Sequence, residues 1–238
     1  MSLYKIPLIL SGAAAFHVAI TPPNSSPAQE ERTKFAAEGM GKKVMRWWPV
    51  VLKSSYWFGA FWEVAVILSL LSPSEPTAQS ILSFLSTSPA RLSPNIYIGP
   101  AFLFAWIVAI LGSWIRWECF RTLGRLFTFE LSIRDQHHLV TAGPYSFVRH
   151  PSYTGAYMSL SCTAMMQLTP GSWLLECGMS GTILGGMLVM LWVGSTAMYC
   201  ALLFYRTIKE DEVLQEVFEQ EWDEWAERVP YRLLPYVY

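Results

Sequence analysis

The chain has 238 residues, 53% of them hydrophobic and 15% charged, whereas an ordinary soluble domain carries about 25% charged residues. Its net charge of −1 offers no basic footprint for nucleic acid. Four cysteines, Cys119, Cys162, Cys177 and Cys200, lie far apart with no C-x-x-C pair, so they supply neither a zinc signature nor a disulfide framework and read as packing residues.

Five apolar segments approach the ~20 residues that cross a bilayer, which predicts an all-α integral membrane protein with about five transmembrane helices. The first, near 3–20, is stopped by Thr21-Pro22-Pro23; it carries Lys5 and an Ala-rich stretch, and is read as a retained anchor rather than a cleaved signal peptide. The second lies near 56–71 and closes at Ser72-Pro73-Ser74. The third, near 96–115, has aromatic residues toward both ends, as interfacial anchors do. The fourth, near 153–168, stops at Thr169-Pro170-Gly171, and the last, near 173–205, contains neither Lys nor Arg. At 1.5 Å per residue that last segment reaches roughly 50 Å, too long for a simple crossing. A single crossing bent near Gly185-Gly186 is expected, with part of Trp173–Thr182 along the interface.

With five spans drawn, all but Lys5 and Arg91 of the 17 Lys and Arg fall on one side, which the positive-inside rule makes the cytosol. The loop 21–55 and the C-terminus are then cytosolic. Residues 1–115 form the N-terminal helices, and 116–238 hold the chemistry-bearing region.

The richest stretch is Gly143-Pro144-Tyr145-Ser146-Phe147-Val148-Arg149-His150-Pro151-Ser152-Tyr153-Thr154-Gly155. Polar groups at the mouth of a membrane helix are costly and usually functional. Pro151 suits the first turn of a helix, which sets His150 and Ser152 beside unpaired backbone N–H groups able to hold a polar or anionic ligand. Upstream, Thr128–Ile133 has short β-like character with a possible hairpin, and His137-His138 read, taken alone, as surface histidines. Arg206 and Glu210 are four apart on one helix face, either an ordinary i,i+4 pair or a second half of the same site. An amphipathic helix closes the chain, and Phe218, Trp222, Trp225, Tyr231, Tyr236 and Tyr238 suit a bilayer interface.

Leu139-Val140-Thr141-Ala142-Gly143-Pro144-Tyr145, then Arg149-His150-Pro151-Ser152-Tyr153-Thr154-Gly155, then Arg206-Thr207 with Glu210 and Glu212, resemble the protein-S-isoprenylcysteine O-methyltransferases. Arg228-Val229-Pro230-Tyr231-Arg232-Leu233-Leu234-Pro235 also fits, and the similarity runs over roughly 116–235. It implies a multi-pass endoplasmic-reticulum enzyme with a cytosolic site. Such an enzyme methylates the C-terminal carboxylate of prenylated cysteine in CaaX proteins with S-adenosylmethionine. It further implies a cofactor pocket of Glu130, His137, His138, Leu139, Val140, Tyr145, His150, Pro151, Ser152, Tyr153 and Glu210. Arg206 would face the substrate carboxylate, and Arg116, Arg206 and Glu210 would be catalytic. The segment between Pro170 and Arg206 is longer than in that family. Rival readings are a phospholipid or small-amine methyltransferase and a non-enzymatic scaffold or transporter. A sterol reductase is a further rival, but Ser152 and Ala156 depart from its pattern.

Overall fold

The computed structural model describes residues 2–25, 40–87, 93–129 and 138–237, with backbone alone for 40–46. Among the described residues there is no strand. The helices are α1 (Lys5–Ala19), α2 (Met40–Ser69), α3 (Pro76–Leu85), α4 (Pro100–Leu123), α5 (Pro151–Gln167), the one-turn α6 (Trp173–Glu176) and α7 (Ile183–Arg228). Trp47–Ser69, Pro100–Leu126 and Ile183–Arg228 are long and apolar enough to cross a membrane by length and composition. α1, of 15 residues, and α5, of 17, fall short of the ~20 residues of a full crossing. The protein is an all-α membrane protein; three of the five expected spans meet that length criterion.

Three expectations change. Residues 40–55, assigned to a loop, are the first turns of α2; the Lys and Arg that marked them as a loop are good helix formers. The connection after residue 72 contains α3, opened by Pro76 at its first turn and burying Ala78, Leu82 and Leu85 on one face. The bend expected near Gly185-Gly186 is absent, because both lie in regular helix. The chain breaks earlier, between α6 and α7, where Gly178 takes a left-handed φ of 80°, and again at Glu219 inside α7 (φ 45°, ψ −117°). Up to the break at Glu219, α7 is about 54 Å long at 1.5 Å per residue, longer than a hydrocarbon core of about 30 Å. Its uncharged part, 183–205, is the apolar stretch that suits a crossing by length and composition, and the charged part begins at Arg206.

By packing, the described chain forms two compact units, and five helices contribute to both. One unit comprises Met1–His17, Leu52–Ile110 and Ser159–Ala197. Its core includes Ile9, Tyr56, Ile67, Phe102 and Met166, all essentially inaccessible. Trp106 donates to Ser11 Oγ at 3.1 Å and Trp192 to Ser55 Oγ at 3.0 Å, so each indole N–H finds a partner on a neighbouring helix. Within this core Lys5 Nζ lies 2.6 Å from Glu63 Oε1, both side chains sealed from solvent. Lys5 also donates to the carbonyl of Gly171 at 2.9 Å and sits 4.5 Å from the Phe102 ring centroid.

The other unit comprises Val18–Val51, Leu111–Met158 and Met198–Tyr238. Its core is Cys119, Tyr145, Trp222, Trp225 and Val229. Trp222 and Trp225 are thus packed inside this unit, which corrects their reading as interfacial anchors, and Trp225 Nε1 donates to the Tyr145 carbonyl at 3.3 Å. Gly155 is required by packing: a Cβ there would lie 2.5 Å from the Gly112 carbonyl oxygen, so only glycine lets α5 approach α4.

Candidate active site

The second unit contains a cleft whose ≈ 1040 Å³ includes space open to solvent. It is built from four parts of the chain: the end of α4 with residues 126–129, the stretch 138–153 entering α5, the middle of α7, and Trp225. Arg116, His138, Leu139, Val140, Tyr145, His150, Ser152, Tyr153, Arg206 and Glu210 all line it. Pro151 is buried at the start of α5 but does not line it. Glu130 and His137, and most of the stretch 128–133 expected to form a hairpin, lie outside the described residues.

The floor is cationic and firmly held. Arg116 is 7% exposed; its Nη1 donates to the Ser152 carbonyl at 3.0 Å and to Ser152 Oγ at 3.2 Å, and its Nε to the Ala19 carbonyl. The rings of Phe120, Phe127 and Phe129 surround this guanidinium at 4.9–5.9 Å from their centroids. Arg116 is therefore tied to backbone and to the Ser152 hydroxyl.

Arg206 is held differently. Its Nη1 donates to the Phe129 carbonyl and its Nε stands 4.0 Å from Glu210 Oε2. That Nε is buried without a hydrogen-bond partner among the described residues, leaving one donor of a planar fork available. Glu210 Oε2 instead accepts a 2.6 Å bond from the Tyr153 hydroxyl, which links the first turn of α5 to α7. Tyr145, in the cleft wall, packs on Cys119, and burial pushes its phenol well above the usual range, so it remains neutral.

The backbone N–H groups before α5 do not form an open anion site. Arg149 N donates to the Tyr231 carbonyl at 2.9 Å and His150 N to the Arg232 carbonyl at 2.8 Å, while Thr154 Oγ1 donates to the Leu233 carbonyl at 2.6 Å. The C-terminal segment occupies donors that the isolated motif leaves free.

Sequence reasoning missed Asp211, which accepts from His150 Nε2 at 2.8 Å, Arg232 Nε at 2.8 Å and Arg149 Nη2 at 3.2 Å. Burial alone would raise its pKa; the hydrogen bond from His150 and the neighbouring Arg149 guanidinium outweigh this and hold it below the usual carboxylate value. It also missed Arg149 as a structural hub: Nη1 donates to the carbonyls of Val229 (3.0 Å) and Pro230 (2.9 Å). A signal for Asp211 existed. Thr207, Asp211, Leu214, Phe218, Trp222 and Trp225 recur at helical spacing and form the packed stripe of this part of the chain. An acid inside such a stripe has to be paired.

Fold and cleft together define a helical membrane protein with a mainly apolar pocket that combines aromatic walls, a carboxylate and a partly engaged arginine. Residues 105–177, about a third of the chain, match the model of the isoprenylcysteine carboxyl methyltransferase (ICMT) family. The match takes in Arg116 and the whole 138–153 stretch; Arg206 and Glu210 lie beyond it. Protein-S-isoprenylcysteine O-methyltransferase B of Arabidopsis thaliana is 31% identical over 129 residues, covering 53% of this chain and 56% of the relative. Protein-S-isoprenylcysteine O-methyltransferase A of the same plant is 41% identical over 71 residues, 29% of this chain and 36% of the relative. The Delta(14)-sterol reductase TM7SF2 of Mus musculus is 32% identical over 100 residues, 42% of this chain but 20% of the relative. The chain thus spans about half the length of methyltransferase B and a fifth of the reductase.

Proposed function

We propose that this chain transfers a methyl group from S-adenosylmethionine to the C-terminal carboxylate of a prenylated cysteine. The observation that carries the reading is the shared cleft: Arg206 with an unpartnered Nε, and Glu210 bonded to Tyr153, line one pocket with the 138–150 stretch. The wall suits the donor's chemistry. Leu139, Val140 and Tyr145 offer apolar and aromatic surface to a nucleobase, His138 and His150 offer hydrogen-bonding nitrogens, and Glu210 offers negative charge to an ammonium or sulfonium. Ser152 and Arg116 shape the floor, and Pro151, Glu130 and His137 are proposed contacts on the strength of the family resemblance alone.

When bound, S-adenosylmethionine supplies an electrophilic methyl group and departs as a neutral thioether. A prenylcysteine carboxyl, with a pKa of about 3.5, is already ionised near pH 7. The chain therefore needs no general base, and its task is alignment. Arg206 can donate to one carboxylate oxygen while its Nη1 stays bonded to Phe129, which fixes the acceptor without wrapping both oxygens. Glu210, braced by Tyr153, holds negative charge opposite the donor's cation. Arg116, held by Ser152, keeps the floor rigid.

Residues 116–238 form the catalytic region on this reading. The pattern of Lys and Arg supports a cytosolic site in a multi-pass protein, and the family supports the endoplasmic reticulum as its membrane. Prenylated CaaX proteins are the proposed substrates.

Calorimetry of purified protein with S-adenosylmethionine, followed by methyl transfer to farnesylcysteine and geranylgeranylcysteine analogues, tests the proposal. Donor uptake and base-labile methyl ester formation are expected. Transfer to phosphatidylethanolamine in place of prenylcysteine would move the assignment to a phospholipid methyltransferase. NADPH binding without donor uptake would move it to the reductases.

A further inference from the structure

Asp211 stands outside the cleft, yet every bond it makes goes to a residue that shapes the cleft or its back wall. It is 3% exposed and receives His150 Nε2, Arg149 Nη2 and Arg232 Nε. Of these three partners His150 and Arg149 line the cleft and Arg232 does not. A carboxylate can only accept, so the short contact to Oδ1 assigns a proton to His150 Nε2. In the neutral ring the other nitrogen, Nδ1, is then an acceptor, suited to a hydroxyl or N–H of a ligand.

The same carboxylate holds the end of the chain. Arg232 and Arg149 bring the 229–233 segment against the residues entering α5, where its carbonyls take the backbone N–H groups of Arg149 and His150. Side chain and backbone of His150 are thus both fixed from behind, by Asp211 and by Arg232.

We infer that Asp211 is a positioning residue for the methyl-donor pocket, acting through His150 by fixing its ring orientation and its Nε2–H tautomer. The inference rests on the methyltransferase reading for the identity of the ligand, but the pairing itself does not.

A binding cycle on the full-length chain in detergent tests it, with S-adenosylmethionine affinity measured by calorimetry and folding by thermal melts. Asp211→Asn and His150→Ala are each expected to weaken binding about tenfold or more, the scale of one charge-assisted hydrogen bond. Because Asp211 acts through His150, the double variant should bind within about twofold of His150→Ala alone rather than showing the product of the two losses. Arg232→Met should lower the melting temperature while keeping affinity within about twofold, since His150 retains its bond. Additive losses, or wild-type affinity in Asp211→Asn beside a weakened His150→Ala, would overturn the inference. Nitrogen-15 spectra of histidine-labelled wild type, assigned against His150→Ala, cover the case in which Asp211→Asn does not fold. A ring carrying its proton on Nε2 is expected, and one protonated on Nδ1 alone overturns the proposal. Failure of wild type to bind the donor would defeat the functional reading, while the spectra would still report on the pair.

Discussion

The phenol of Tyr153 donates to Glu210 Oε2 at 2.6 Å and so joins two stretches of sequence 57 residues apart into one wall of the cleft. A bond this short to a carboxylate is charge-assisted and contributes about 1.5–3 kcal/mol when intact. Tyr153→Phe keeps the ring and removes the donor, freeing Glu210 to turn toward Arg206, 4.0 Å away. The expected outcome is a roughly ten- to hundredfold fall in kcat/KM for methyl transfer with little change in melting temperature, read from initial rates and thermal melts.

Arg206 gives a sharper separation. Its Nε is buried without a hydrogen-bond partner among the described residues; Arg149 Nε is too, but the Nη atoms of Arg149 are tied to Val229, Pro230 and Asp211, and Arg116 is tied to the Ser152 carbonyl and hydroxyl. Arg206→Ala should abolish turnover, by at least about a hundredfold, because alignment is the whole of the chain's proposed contribution. Affinity for S-adenosylmethionine in calorimetry should stay within a few fold. Loss of both together would contradict a substrate role for Arg206.

Asp211 makes stability depend on acid. Its carboxyl is held below the ordinary value in the folded chain, and it lies beyond the uncharged part of α7. The unfolded chain, with its ordinary pKa of about 3.9, binds the proton more readily. The stabilisation is therefore present in full above about pH 5, starts to fall as pH approaches the unfolded pKa, and is lost as pH falls through the depressed folded value. Melting temperatures measured from pH 7 to pH 3 should hold steady to about pH 5 and then decline, and Asp211→Asn should flatten that decline.

What the sequence disclosed, and what it withheld, follows from how local each signal is. The apolar runs and the block from His138 to Tyr153 are contiguous, so the helices and most of one cleft wall can be read directly. Arg206 and Glu210 were found because their i,i+4 spacing puts them on one face just past a span. The docking of 229–233 over the α5 entrance was not legible, since backbone carbonyls carry no sequence signature and any residue types could supply them. Asp211 was hidden between two other acids, Glu210 and Glu212, of which one lines the cleft and the other pairs with Lys209 at the surface. Only the apolar stripe around it separates the buried acid from its neighbours.

Gly155 tests how closely α4 and α5 must meet. A Cβ at this position would sit 2.5 Å from the Gly112 carbonyl oxygen and 3.1 Å from the Arg116 backbone nitrogen, and backbone cannot step aside as a side chain can. Gly155→Ala should destabilise by about 1–3 kcal/mol, the usual scale of overpacking. Because the displaced helix carries Ser152, which holds Arg116, activity should fall further than stability alone explains, measurable by comparing rates at temperatures well below both melts.

The pair Lys5–Glu63 lies in the other unit and bears on stability alone. Both side chains are sealed at 0% and 1% exposure, and Lys5 also satisfies the Gly171 carbonyl at a turn whose φ of 85° only glycine adopts freely. Removing one partner strands a buried charge, a loss on the order of 3–5 kcal/mol, whereas replacing both with apolar residues of similar volume is often neutral or stabilising. Lys5→Met alone and Glu63→Met alone should each reduce the yield and melting temperature of detergent-purified protein severely. The double variant Lys5→Met/Glu63→Met should recover most of the loss, short of the bond to Gly171. If the double variant is as unstable as the sum of the singles, the two residues are not acting as a pair, and the bond from Lys5 to the α5–α6 turn carries the stabilisation instead.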